Sequence, residues 1–238
     1  MYEILAEYYD KFMTDVPYAE WTDYIARILG DRKRGRDVGC GTGKFTVAFK
    51  RAGYDVSGSD VSPEMLTKAA AYAKSTGTDV KFLLQSADKL DDAHPLDFVT
   101  ACCDVVNYLK NPSKFFERAY SVLGDGGVLV FDISSEYKLT NVIGNNVFTE
   151  STDDVTYVWE NSLDTKRRTV DMRLTFFIKQ PNNYYTKRVD EQTQFIHTED
   201  ELVGKLRDAG FGEIKVCGFL KNRRPGDTEQ RIVFAAYK

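Results

Sequence analysis

The 238-residue sequence predicts an α/β protein: a doubly wound, mainly parallel seven-stranded sheet into which an antiparallel β-sheet is inserted. Three observations lead there. From 37 to 133 short apolar runs alternate with segments of helical period, the pattern of successive βαβ units. From 155 to 195 three long β-prone runs follow one another with no helix between them, so hairpin connections make them antiparallel. From 198 onward a helix and two more strands resume the first rhythm.

Each element has a local reason. After "DVGCGTGK", Phe45, Ala48, Phe49 and Ala52 fall at i, i+3, i+4 and i+7 and Gly53 stops the run, so one helix starts at the glycine loop. "YDVSGSD" (54–60) alternates as a strand. Ser62 and Pro63 then offer an N-cap and first helical position to a helix carrying Met65, Leu66, Ala69, Ala70 and Ala73. "VKFLL" (80–84) and "DFVTACC" (97–103) are the next strands. A helix from Ser113, closing on Gly124, leads through "DGG" into "VLVFDI" (128–133). The runs 155–160, 169–178 and 184–195 form the insert, joined by "LDTKR" and "QPNN". Thr198 and Glu201 make a capping box for a helix that Gly210 ends, and strands near "IKVCGF" and "RIVFAAY" close the chain. The expected organisation is a main domain of 1–134 and 198–238, with a helical cap over 1–30. The insert, 135–197, is expected to serve as an acceptor lid or a dimerisation sheet. One feature departs from the pattern: the strand ending at Asp37 is preceded by "RKRGR", where a central strand should be apolar on both faces. That strand is expected to be short or locally adjusted.

Composition narrows the function. Lys and Arg total 32 against 36 Asp and Glu, a net charge of -4, without the basic footprint of a nucleic-acid binder. The four cysteines show no C-x-x-C spacing and His94 and His197 stand in unrelated contexts. Reduced thiols, a cytoplasmic location and no metal are therefore expected. No window approaches about 20 continuous apolar residues, so no membrane span is expected.

The loop at 37–46 is the strongest local signal. A phosphate-cradling G-x-x-x-x-G-K-[ST] loop fails twice, because Val38 holds its first glycine position and Phe45 follows Lys44. A dinucleotide G-x-G-x-x-G fails at its last glycine, which weakens a dehydrogenase reading. G-x-G-x-G instead puts small residues at alternate positions of a strand-to-helix turn, letting a ligand lie on the backbone over the helix N-terminus.

"DVGCGTG", Asp60 closing the next strand, "SADKL" after the third, "CCDVVNYL" ending the fourth and "LGDGGVLVFDI" entering the fifth together resemble the motifs of class I S-adenosylmethionine-dependent methyltransferases, with their Rossmann-like fold. The opening "YYDKFMTDVPYAEW" and the strand-rich insert are similar in layout to the sugar-amine N-methyltransferases. The resemblance implies S-adenosylmethionine as cofactor. Gly39, Cys40, Gly41 and Gly43 would pass under its methionine end, Asp37 would face the ammonium through a water, and Asp60 would take the ribose hydroxyls. Val61 and Met65 would flank adenine, with Met65 equally explained as core. Asp88 and the amide of Ala87 would read the adenine amino group. Cys102 would line the sulfonium pocket with backbone, its thiol serving only as packing. Asn107 would hold the methionine end or its own loop. Tyr9 and Tyr18 would reach the methionine carboxylate, and Trp21 would seal the pocket or belong to an amphipathic helix.

Methyl transfer from a sulfonium is an in-line displacement, in which orientation and desolvation do most of the work and a protein base is optional. The acceptor contacts proposed by position are Tyr108, Tyr185, Arg188 and His197. The expected partner is a small-molecule methyl acceptor, O or N, with a homodimer possible. Methylation of RNA or protein, or non-catalytic binding of the cofactor, are the alternatives.

Overall fold

Strand β1 (Arg34–Val38) lies inside the main sheet, parallel to β2 (Asp55–Asp60) on one side and β4 (Leu96–Ala101) on the other, yet it reads Arg-Gly-Arg-Asp-Val. The computed structural model, which describes residues 3–12 and 16–238, shows how those charges are tolerated. Between β3 (Phe82–Leu84) and β4 the chain makes a single 3-10 turn, Ala87–Lys89, instead of an α-helix. An open groove along β1 and β2 takes its place, lined by Arg34, Arg36, Ser57, Gln85 and Asp92. Arg36 is 4 % exposed and bonded through each of its three guanidinium nitrogens: Nε donates to Ser57 Oγ at 2.9 Å, Nη1 to Gln85 Oε1 at 3.0 Å and Nη2 to Asp92 Oδ2 at 2.7 Å. On the opposite face Gly35 makes room for Phe98, whose ring would stand 2.2 Å from a Cβ. The strand is five residues long and regular; its adjustment lies in what covers it.

The seven-stranded sheet runs β10-β11-β5-β4-β1-β2-β3, with β5 Leu123–Ser134, β10 Glu213–Gly218 and β11 Arg231–Tyr237. β11 is antiparallel to both its neighbours and the other pairings are parallel. This is the doubly wound sheet expected. The helices are α1 (Glu3–Phe12), α2 (Tyr18–Leu29), α3 (Lys44–Arg51), α4 (Pro63–Ser75), α5 (Ser113–Val122) and α6 (Glu199–Asp208). Ser62 Oγ accepts from Met65 N and Thr198 Oγ1 from Glu201 N, the two caps read from the sequence. Of the expected cap region, residues 1, 2 and 13–15 lie outside the described residues. One core joins Phe115, Phe116, Phe131, Leu202 and Phe234; the other joins Trp21, Ile25, Phe45, Phe49 and Phe98. Some boundaries differ from the expectation. β5 begins at Leu123 and takes in "DGG", and β4 stops at Ala101 because Cys103 and Asp104 turn into the left-handed region, φ 63° and 54°.

The insert is a four-stranded antiparallel sheet in the order β6-β7-β8-β9: Val147–Ser151, Val155–Asp164, Thr169–Lys179 and Tyr185–Phe195. Strand β6 adds to the three expected runs; its "VFTES" is short and mostly exposed and carries no strong strand signal. A π-helix, Lys138–Ile143, links β5 to it. The register aligns Arg188, Gln192 and Gln194 with Phe176, Met172 and Val170, so these side chains share one face by strand alternation. That face is turned inward: Phe176 and Tyr157 meet Tyr8 and Phe12 of α1, and Val170 and Met172 pack with Leu139 and Ile143.

Candidate active site

The three glycines of the β1–α3 turn all adopt positive φ, 66° at Gly39, 52° at Gly41 and 78° at Gly43, which side-chain-bearing residues reach only at a cost. Their surroundings differ. A Cβ at Gly39 would stand 2.5 Å from Val105 and one at Gly43 2.9 Å from Ala69, whereas nothing lies within 4 Å of one at Gly41. Packing demands the outer two, and the middle one opens into a cavity. Gly39, Cys40 and Gly41 line that cavity together with Asp37, Cys102 and Cys103, and Tyr9 and Tyr18 reach it from α1 and α2. Gly43, at the start of α3, does not line it and packs against Ala69. α1 is tied to this turn: Thr42 Oγ1 donates to Asp10 Oδ1 at 2.8 Å and Lys44 Nζ stands 3.4 Å from Asp10.

Two buried carboxylates frame the turn. Asp37 accepts from Thr46 Oγ1 at 2.6 Å and Thr100 Oγ1 at 3.0 Å, and burial, outweighing those bonds, pushes its pKa up to about 6. Asp60, at the carboxyl end of β2, accepts from Gly41 N and Ser62 N, one on each oxygen and both at 2.9 Å. Burial raises its pKa as well. Each Asp60 oxygen retains a lone pair for a ligand hydroxyl. Beside it, Val61 is 56 % exposed and Leu84, paired with Asp60 across β2–β3, is 66 % exposed, an apolar shelf beyond the sheet edge. Met65 is buried, in keeping with its core alternative. Ala87 is buried and Asp88 is half-exposed, its pKa lowered by the Ser86 hydroxyl 2.5 Å away.

The loop after β4 is pinned from the sheet. Asp132 Oδ1 accepts from Cys103 N at 2.8 Å and Oδ2 from Asp104 N at 3.0 Å, which holds both residues in their left-handed conformation. Arg231, at the head of β11, donates Nη1 to Asp132 and to Asp104 Oδ1, the latter at 2.9 Å, while its guanidinium lies over Trp21 and Phe219. Burial opposes its charge, yet attraction to Asp132 and Asp104 raises its pKa overall. Cys40, Cys102 and Cys103 are all raised well above the usual thiol value, burial being the largest cause, so they stand as neutral thiols.

Other expected site residues are placed differently. Asn107 is fully buried; it accepts from Ser134 N and donates to the Ser134 and Phe195 carbonyls, holding the loop. His197 is buried with a ring nitrogen 3.0 Å from the Leu109 carbonyl and a pKa lowered by burial, a bracing role. Trp21 packs against Phe45 and Phe219 in the core and does not line the cavity. Tyr185 is 58 % exposed and, three positions before Arg188, lies on the opposite face of β9; only Arg188 shares the inward face. Tyr108 does meet the insert, its hydroxyl donating to Gln192 Oε1 at 2.9 Å. Sequence reasoning missed Asp10, Leu84, Gln192, Gln194 and Arg231; it places Asp104 at the carboxyl edge of the sheet with Asn107 and Tyr108, without its ion pair to Arg231. Arg231 left a signal, a lone cation heading the apolar "IVFAAY"; the alternating Asp190, Gln192 and Gln194 were another.

Residues 36–127 match a family model described as a methyltransferase domain. Over its whole length the chain is 31% identical to a protein of Geobacillus sp. (strain WCH70) that carries the name methyltransferase, covering 99% of it. A solved S-adenosylmethionine-dependent methyltransferase from Clostridium acetobutylicum ATCC 824 is 28% identical, with a TM-score of 0.87 over 99% of this chain and 98% of that one. The S-adenosylmethionine-bound CalS10 from Micromonospora echinaspora, an amino pentose methyltransferase, shares the fold at 19% identity, with a TM-score of 0.75 over 98% of this chain and 95% of its own.

Proposed function

The chain belongs to the class I S-adenosylmethionine-dependent methyltransferases, and we propose that it methylates an oxygen or nitrogen nucleophile of a small molecule held between its two sheets. The observation that carries this is the join between cofactor cavity and insert. Cys103 lines the cavity, and the next residue, Asp104, accepts from Gln194 Nε2 of β9 at 2.6 Å. An acceptor resting on the inward face of the insert therefore lies one residue away from the cavity.

The residues present suit the cofactor: Gly41 opens onto the cavity, Asp60 keeps lone pairs beside it, and Val61 and Leu84 form an exposed apolar shelf. In this reading Gly39 to Gly41 carry the methionine end, Asp37 faces its ammonium, Asp60 takes the ribose hydroxyls, and Val61, Leu84, Ala87 and Asp88 meet the adenine. When bound, S-adenosylmethionine supplies an electrophilic methyl group on a sulfonium. Tyr9, Tyr18 and Phe45 keep water away from the cavity, and the Asp132 clamp fixes the Cys103 backbone that borders it. Protonated Cys102 and Cys103 do not compete as nucleophiles. Orientation and exclusion of water supply the rate, with no side chain assigned as base.

The outward face of the insert, with Val147, Tyr185 and Val189 exposed, is the surface we assign to a second copy of the chain, if it dimerises. Four free thiols suit a reducing compartment, and the cytoplasm is the location proposed. No helix among the described residues is long and apolar enough to cross a membrane. The test is to incubate the enzyme with methyl-labelled S-adenosylmethionine and separated small-molecule, RNA and protein fractions of a cell extract. Label entering the small-molecule fraction supports the assignment, and label confined to RNA or protein contradicts it.

A further inference from the structure

Buried amides in a folded protein almost always find partners, and each one left alone costs about 1–3 kcal/mol. The inward face of the insert breaks that rule repeatedly. Gln192 is 7 % exposed; its Oε1 accepts from Tyr108, but its Nε2 has no hydrogen-bond partner among the described residues. Gln194 is 3 % exposed; its Nε2 donates to Asp104 Oδ2 while its Oε1 is likewise unpartnered. The carboxylate can only accept, so the orientation of the Gln194 amide is fixed. On the same face Trp159 Nε1 and Asn161 Oδ1 are also buried without a partner among the described residues. In the seven-stranded sheet the corresponding atom is Ser59 Oγ.

Resting on the methyltransferase reading, we infer that Gln192 and Gln194 are the recognition pair of the acceptor pocket, and that the acceptor presents to them a neutral hydroxyl or amide group. The two side chains leave β9 about 6.6 Å apart along one face. One offers a free donor and the other a free acceptor, so a group that both donates and accepts satisfies them together. A carboxylate would meet Gln192 Nε2 but oppose Gln194 Oε1 and Asp104. An ammonium would meet Gln194 Oε1 but oppose Gln192 Nε2. Of the charges around them, Asp104, Asp132 and Arg231 are engaged with one another, Lys138 stands close to Asp104 and Asp132, and the buried Asp190 shares the face two residues before Gln192. Tyr108 and Asp104, which hold the fixed ends of the two amides, belong to the loop whose Cys102 and Cys103 line the cavity, so the recognised group would stand next to that cavity.

The test uses saturation-transfer NMR on the full-length protein with S-adenosylhomocysteine bound, and four probes of one shape: benzyl alcohol, benzamide, benzoate and benzylamine. Signal from benzyl alcohol or benzamide, above that from both charged probes, is expected, and which of the two responds separates hydroxyl from amide. Signal led by benzoate or benzylamine, or none from either neutral probe, overturns the inference. The Gln192→Leu/Gln194→Leu variant is expected to lose at least tenfold in affinity for the responding probe and keep S-adenosylhomocysteine affinity within twofold, with a modest fall in melting temperature because the bonds to Tyr108 and Asp104 go with the two amides. Gln192→Glu, which keeps the acceptor facing Tyr108 and removes the donor, is expected to lose the probe similarly. Unchanged probe binding in these variants, or a drop of several degrees in melting with binding retained, assigns the amides to the fold and overturns the inference. Failure of the wild type to bind S-adenosylhomocysteine at all would instead remove the methyltransferase reading beneath it.

Discussion

Replacing Arg231 with Leu takes away the cation that Asp104 and Asp132 share. Asp132 is 1 % exposed and its other bonds come from backbone amides, so the variant keeps two carboxylates buried near each other with Lys138 as the remaining nearby cation. Breaking a buried ion pair from one side costs about 3–5 kcal/mol. Loss of guanidinium stacking on Trp21 at 5.0 Å and Phe219 at 5.8 Å adds roughly 0.5–1 kcal/mol, offset in part by the leucine filling the space. The expected loss at pH 8 is about 4 kcal/mol, or roughly 8–16 °C in melting temperature for a chain of this size. Its pH dependence has a definite sign. With Arg231 present, Asp104 is held below its ordinary value against the cost of burial, so its contribution is present at neutral pH and lost on acidification. Without Arg231 burial outweighs the remaining attraction to Lys138 and the hydrogen bonds, both carboxylates move up, and protonation relieves them. Urea denaturation at pH 8 and pH 5.5 should therefore show a smaller difference between variant and wild type at the lower pH. A difference below about 1 kcal/mol, or one equal at both pH values, would refute the clamp.

Three further outcomes follow from the cofactor cavity. Asp60→Ala is expected to weaken S-adenosylmethionine binding by roughly 1.5–3 kcal/mol, because a charged acceptor is lost; unchanged affinity in a folded variant, read by calorimetry, removes Asp60 from the site. Gly41→Val combines a backbone held at φ 52° with a side chain that projects into the cavity, and should abolish cofactor binding while leaving packing intact, as equilibrium dialysis and circular dichroism together would show. In the proposed reading the ammonium of the cofactor faces ionised Asp37, whose pKa of about 6 means that the free protein binds a proton below that pH. Affinity should fall by up to tenfold per pH unit below about 6 and flatten in Asp37→Asn; a wild-type profile flat from pH 7.5 to 5 would place Asp37 away from the ammonium.

The glycine turn, Asp60 and the alternation of strand and helix were legible because each rests on local chemistry: positive φ, a carboxylate at a strand end, a period of 3.6 or 2. What the sequence hid depends on distant partners. Arg36 looked wrong for a central strand because its partner, Asp92, lies 56 residues on, in a connection that lacks the usual covering helix. Asn107 and His197 looked like functional side chains, yet each closes backbone groups brought near only by tertiary folding. Tyr185 and Arg188 stand three residues apart in sequence, and strand alternation puts them on opposite faces. Gln192 and Gln194 attract little notice in "VDEQTQF" until burial shows that their amides are incompletely matched.

The central claim is that the turn from Gly39 to Gly43 and the carboxylate of Asp60 hold S-adenosylmethionine and no dinucleotide. Isothermal titration of the full-length protein with S-adenosylmethionine and, separately, with NAD tests it most directly. One equivalent of S-adenosylmethionine should bind and NAD should give no heat beyond dilution; binding of NAD, or no binding of S-adenosylmethionine by folded protein, would contradict it.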